Sequence, residues 1–208
     1  MEESKRSAAD LQENCSKYQQ PTDQVIEDSL KKQVYLCKLD PENGVTLHVH
    51  LFKNVRNVED IRMNILKGTW KCAIIKPALI LDPLQIAVAA NKAVISEQRN
   101  AMTTRNVYTE VLFNLSITKN IGQSLNKFGI EKDTDMLVCF LIASEDNSAE
   151  ILSKIEGERC PISSLIEFRD LRKIKNVYKF NGLKCDVDLQ EMLNIIISRM
   201  VTKNIVSY

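Results

Sequence analysis

From Gln33 onward the spacing of apolar and polar positions switches between strand and helix periods. The run QVYLCKL, the segment DPENG and the run VTLHVHLF predict a β-hairpin, with Asn43-Gly44 supplying the positive φ of the turn. In the second strand Val45, Leu47, Val49 and Leu51 share one face, and Thr46, His48, His50 and Phe52 the other. Asn57 is placed to cap a helix running to Lys67, with Val58, Ile61, Ile65 and Leu66 apolar and Gly68 as the stop. A short apolar strand over Cys72–Ile75 and Leu79–Leu81 leads to Asp82 and Pro83, a cap followed by a residue suited to the first helical position. The helix LQIAVAANKAVISEQ that follows is rich in alanine, so neighbours can approach it closely, and it ends near Asn100.

Beyond it the pattern predicts a strand over Tyr108–Leu115 and a helix from Thr118 to Phe128 closed by Gly129. The apolar strand MLVCFLIA and a helix over Ser148–Glu156 come next. A weakly patterned segment begins at Pro161 and carries Arg169, Arg172, Lys173 and Lys175; a strand over Val177–Phe180 and a closing helix from Asp188 complete the chain. The fold class expected is α/β, a single domain with a mixed β-sheet and helices packed on it over residues 33–208. Residues 1–32 are polar and poor in large apolar groups, which predicts a mobile N-terminal extension with at most a marginal helix at Val25, Ile26 and Leu30.

Composition narrows the function classes. The 208 residues carry 28 Lys and Arg against 27 Asp and Glu, so no strong overall field draws the protein to nucleic acid or to an anionic membrane. The most apolar stretch, Cys72 to Ala90, is interrupted by Lys76, Pro77, Asp82 and Pro83 and does not read as a membrane span. The first residues, MEESKRSAADLQENCS, lack the apolar core of a signal peptide and include acids. Cys15, Cys37, Cys72, Cys139, Cys160 and Cys185 show no close pairing, which favours reduced thiols in the cytoplasm or nucleus over a zinc ribbon or a redox pair. The six glycines come no closer than seven apart, which leaves neither a Rossmann fingerprint nor a P-loop.

Catalytic candidates are few. His48 and His50 are the only histidines, and an H-x-H pair on a strand needs a third ligand to hold a metal. Arg169-Asp170-Leu171 echoes a kinase catalytic loop, but Phe168 precedes it and Asn176 falls one place late. No catalytic residue, metal or cofactor is expected.

Two surfaces stand out instead. In the closing helix Leu189, Leu193, Ile196 and Met200 form the stripe expected to face the core. Met192, Ile195, Ile197 and Val201 widen the apolar surface beyond that stripe, so either the helix is sunk within its own fold or one flank is covered by a partner. The flank Met192, Ile195, Arg199 is the chosen candidate, because interface anchors favour Met and Arg. The second surface is basic: Lys92, Arg99, Arg105, Lys119 and Lys127 fall on or beside two helices, although Glu97 and Glu110 dilute them toward an ordinary mixed-charge face.

The segments LFKNVRNVEDIR, IIKPALILDPLQIAVAANKAV, TEVLFNLS and NIGQSLNKFGI, with IISRMVTKNI at the end, closely resemble the TPRKB family, the PRPK-binding subunit of the KEOPS (EKC) complex. The resemblance covers residues 33–206, and the front of 32 residues is a departure from it. It implies a small, non-catalytic α/β adaptor that docks on the N-terminal lobe of the complex's PRPK-type kinase and meets the other subunits indirectly. That assembly installs threonylcarbamoyl on tRNA, and archaeal relatives bind the tRNA CCA end. The family's docking surface includes the C-terminal helix, which carries Met192, Ile195 and Arg199 over as kinase-binding candidates. The ANKA stretch lies on the RNA-facing side in the family, which makes Asn91, Lys92 and Arg105 candidates for tRNA. No membrane, cofactor or small-molecule substrate is implied, and the expected setting is cytoplasm and nucleus. The competing readings are a stand-alone RNA-binding module and an enzyme with an unrecognised site using His48 or a carboxylate pair.

Overall fold

The computed structural model describes residues 33–42, 44–144, 146–180 and 187–206. Its elements run β1 (Tyr35–Lys38), β2 (Thr46–Lys53), α1 (Val58–Leu66), β3 (Ala73–Ile75), α2 (Pro83–Gln98), α3 (Val107–Leu115) and α4 (Ile121–Phe128). Then follow β4 (Met136–Ile142), α5 (Ser148–Ser153), β5 (Glu158–Cys160), α6 (Leu165–Phe168), α7 (Leu171–Val177) and α8 (Leu189–Thr202). Short 3-10 turns stand at Pro77–Leu79 and Ile162–Ser164. The extension over residues 1–32, with its marginal helix, lies outside the described residues, as do Asn43, Cys15 and Cys185; Gly44 keeps the expected positive φ, at 61°.

The α/β class holds. The strand order is β1-β2-β4-β3, with β5 also pairing β2, and every pairing among the described strands is antiparallel rather than of both senses. The reason is an insertion. Strands β2 and β3 run in the same direction around α1, as in a crossover unit, but β4 lies between them and opposes both.

The alternation expected in β2 decides which helices cover which face. Leu47, Val49 and Leu51 join Leu137 and Cys139 of β4 in the larger core under α2, α3 and α8. Phe52 joins Met136, Val138 and Phe140 in a second core with Val58, Ile61 and Trp70 beneath α1 and with Ile151 of α5. Strand β4 therefore buries side chains on both faces, which explains its unbroken apolar run. Burying each such aliphatic side chain contributes about 1.5–3 kcal/mol. In α2 Ala89, Ala90 and Ala93 are buried against α3, and Asn114 of α3 donates to the Ala89 carbonyl at 3.3 Å.

Three local expectations are corrected. Val107–Leu115 is helix, because Asn106 and Thr109 form a reciprocal capping box that orients the first turn. Its buried residues Val107, Val111 and Leu115 recur every four positions, a spacing that tyrosine, threonine and valine had masked. Val177–Phe180 is the last residue of α7 and the turn that follows it rather than a strand: Asp170 accepts from the Arg172 and Lys173 amides at 3.0 Å each and starts the helix. The chain over Leu79–Leu81 leaves a 3-10 turn begun by Pro77 and adds no strand residue after β3. A fourth position differs in detail. Asn57 precedes α1 without capping it, and its side chain instead ties Lys154 and Glu156 of the segment after α5.

Candidate functional site

Helix α8 begins at Asp188, whose carboxylate accepts the Glu191 amide at 2.7 Å. Met192, Leu193, Ile196 and Met200 are buried, so Met192 faces inward with the core stripe instead of sharing an open flank. Ile195 and Arg199 are half-buried and, with Glu191, Asn194 and Ser198, line a shallow depression of about 310 Å³ on the outer side. Of the three candidates on this flank, the structure brings Ile195 and Arg199 together and turns Met192 away.

Arg199 also has internal work. Its guanidinium donates to the carbonyls of Tyr178 and Lys179 and lies 5.3 Å from the Phe180 ring centre. These carbonyls stand where α7 ends and would otherwise lack helical donors. Beneath them Tyr178 is fully buried: its hydroxyl donates to the Leu115 carbonyl at 2.7 Å and accepts from the Gln85 amide at 2.6 Å. Burial raises its phenol well above the ordinary range.

An open groove of about 830 Å³ runs between β1, α2 and the end of α8. Ala87, Val88 and Ile95 give it an apolar floor, and Lys38, Lys92 and Arg99 are its cations. Asn91 lies in this groove and accepts the Asp40 amide at 2.9 Å, which ties the hairpin to α2. Lys92 donates to the Val201 carbonyl at 3.5 Å; burial lowers its amine pKa and Glu110 opposes the shift. Arg105 is exposed on the segment before α3 and does not line the groove, so the structure unites two of the three RNA candidates. Lys119 and Lys127 are not among the lining residues either.

Lys38 and Lys203 escaped the sequence reading. Lys38 alternates outward on β1 beside Asp40, a position that hairpin patterning alone makes ordinary. Lys203 is fully buried just beyond α8, donating to the Phe113 carbonyl with its amine 3.4 Å from the Phe113 ring centre. Burial, and then the charge of Lys92, lowers its pKa to about 7 against the opposing pull of Glu110. Glu110 is itself buried and accepts from the Thr104 amide and hydroxyl at 2.7 Å each. No sequence signal marks Lys203, since a lysine after a helix reads as a solvated C-terminal cation.

On the opposite face of the sheet His50 is buried, with Nδ1 2.6 Å from the Arg159 guanidinium and its ring edge-on to Phe140. Burial first, then Arg159 and His48, lowers its pKa to about 3. Among the described residues no group of three or more His, Cys, Asp and Glu is placed to hold a metal. Burial pushes the Cys72 thiol up to about 12 and the Cys139 thiol well above its ordinary value, so both stay protonated.

A family model described as kinase binding protein CGI-121 matches residues 52–204. The chain is 35% identical over 160 residues to the EKC/KEOPS complex subunit TPRKB of Danio rerio, covering 74% of this chain and 89% of that one. It is 30% identical over 146 residues to the EKC/KEOPS complex subunit CGI121 of Yarrowia lipolytica, covering 68% and 84%. It is 26% identical over 160 residues to the subunit of the same name from Candida glabrata, covering 74% and 90%.

Proposed function

Because the chain belongs to the kinase binding protein CGI-121 family, we propose that it is a non-catalytic adaptor subunit of an EKC/KEOPS complex. It docks on the complex's PRPK-type kinase through the outer side of α8, meets the other subunits indirectly, and acts in the cytoplasm and nucleus. It supports threonylcarbamoylation of tRNA by helping to hold the tRNA CCA end in the groove between β1 and α2. The observation that carries this reading is the family match over residues 52–204, a span that includes α8 and most of the groove lining.

The geometry supports the two halves differently. On α8 the half-buried Ile195 and the depression around it offer an apolar contact that needs no rearrangement of the core. In the groove, Lys38, Lys92 and Arg99 beside an apolar floor suit a phosphate chain whose bases lie against Ala87, Val88 and Ile95. Arg105 adds a cation outside the groove and belongs to the proposed RNA side as a peripheral contact. The same groove also suits a stand-alone RNA-binding module, which differs in predicting strong tRNA binding without any partner.

Size-exclusion with light scattering tests the docking directly. The protein mixed with the EKC/KEOPS kinase of its own organism is expected to run as a one-to-one complex, lost on Ile195→Asp. Two separate peaks for the unaltered protein overturn the adaptor reading, and tRNA binding by the protein alone then decides for the RNA module.

A further inference from the structure

Helix α7 carries charge that neither the groove nor the docking depression uses. Ile174 and Tyr178, four apart, are fully buried, which turns Arg172, Lys173, Lys175 and Asn176 outward. Four cations and no acid occur from Leu171 to Phe180, and Arg199 and Lys203 with no acid from Met192 to Val206. The whole chain has a net charge of only +1, so these segments concentrate positive charge that the rest of the chain offsets. The acid that opens α7 is already engaged: Asp170 accepts the Arg172 and Lys173 amides, and its carboxylate lies 3.4 Å from the Lys173 amine. Arg172 and Lys175 belong to no ion pair among the described residues.

The fold joins the two acid-free segments. On one side of the last turn of α8, Arg199 donates to the carbonyls of Tyr178 and Lys179 at the end of α7. On the other side Val201 and Asn204 line the groove that holds Lys92. Groove and α7 thus flank the end of a single helix, about 10 Å across, which a few nucleotides span.

We propose that the outward face of α7 is a second phosphate-binding surface, which takes the sugar-phosphate backbone of the RNA whose end lies in the groove. This rests on the reading of the groove as an RNA site. Arg172 and Lys175, three apart on one face, repel each other, and a polyanion laid along them relieves that repulsion and releases counterions. The lysines favour this occupant over a protein surface. Contacts between proteins are depleted in lysine, whereas a flexible ammonium serves a phosphate whatever base it carries. The exposed residues of α7 include no aromatic ring, so the contact is to backbone and not to stacked bases.

Fluorescence anisotropy with an unmodified tRNA transcript, and separately with a short single-stranded RNA ending in CCA, reads the two surfaces apart. The short RNA fills the groove without reaching α7. The variant is Arg172→Gln with Lys175→Gln, two exposed positions outside the core. Its Kd for tRNA is expected to weaken about tenfold at low salt, and the slope of log Kd against log salt to become shallower by about 1.5. Its Kd for the short RNA is expected to stay unchanged. Arg172→Lys with Lys175→Arg keeps both charges and is expected to hold tRNA within about twofold of the unaltered chain. Should the glutamine pair lower the melting temperature, Lys175→Gln alone decides, with about half the change in slope. Unchanged tRNA binding in the glutamine variant, or an equal loss for the short RNA, overturns the α7 surface and leaves the groove. Weaker binding of the kinase with tRNA unaffected overturns it in favour of an acidic strip on that partner. No binding of either RNA by the unaltered chain overturns the groove reading, and this surface with it.

Discussion

Arg199 of α8 donates to the carbonyl of Lys179 at 3.0 Å, so one of the three residues expected to face a partner closes the end of helix α7. Arg199→Ala removes a charge-assisted bond set and the guanidinium's packing on Phe180. The expected cost is about 1–3 kcal/mol, read as a melting temperature several degrees lower. Arg199→Lys is expected to recover only part of it, because one ammonium does not reproduce the planar fork. Unchanged thermal stability in Arg199→Ala would show that the carbonyls are satisfied without it.

Ile195 and Met192, three positions apart on α8, are expected to separate binding from folding. Ile195→Asp weakens kinase binding by about 2 kcal/mol or more while the melting temperature moves little, since the side chain is only half-buried. Met192→Ala costs about 2–5 kcal/mol of stability, because its side chain is buried among Leu193, Ile196 and Met200. Denaturant unfolding beside kinase pull-down reads both quantities; the opposite pattern would place the docking face elsewhere.

The ends of three helices share one hydrogen-bond pattern with three different residues at the left-handed position. Gly68 has φ 72°, Asn100 φ 50° and Lys179 φ 55°, each followed by an amide that reaches back to the last turn. Lysine is the costly choice of the three, because its Cβ crowds the following carbonyl. Lys179→Gly is expected to stabilise the fold by about 0.5–1 kcal/mol, measured as a higher denaturation midpoint with unchanged slope.

His50 sets an acid limit. Its pKa in the fold is about 3 against an ordinary 6.5, so the unfolded chain takes up a proton that the folded one refuses. The stability from neutral His50 is complete above pH 6.5 and is lost progressively as pH falls from 6.5 toward 3. Melting temperatures across this window are expected to fall less steeply in His50→Gln than in the unaltered chain. Parallel slopes would show that other groups control the acid transition.

Long, strongly patterned elements were legible in the sequence. The hairpin alternation in β2, the cap and proline of α2 and the unbroken apolar run of β4 each follow from local chemistry. The strand expected at Tyr108–Leu115 failed because β-branched and aromatic residues dominate its composition, while the Asn106–Thr109 capping box that fixes it as helix is a two-residue signal. The antiparallel sheet was hidden because the position of β4 between β2 and β3 is a long-range choice with no local mark. On the site, the surplus apolar surface of α8 was visible, but which side faces the core depends on the α2–α3 layer beneath it. Lys203 was invisible for the same reason: burial comes from α3, ninety residues earlier in the chain.

The place of β4 also fixes when the molecule can assemble. Its register joins Phe52 to Met136 and Thr46 to Ile142, separations of 84 and 96 residues. Until β4 leaves the ribosome, β2 has only its short hairpin partner and β3 has no strand beside it. The apolar faces of both must wait exposed through the synthesis of three helices, α2, α3 and α4. Closure of the sheet is accordingly expected late in synthesis, once Ile142 has appeared, with β5 and α8 still to add their cover.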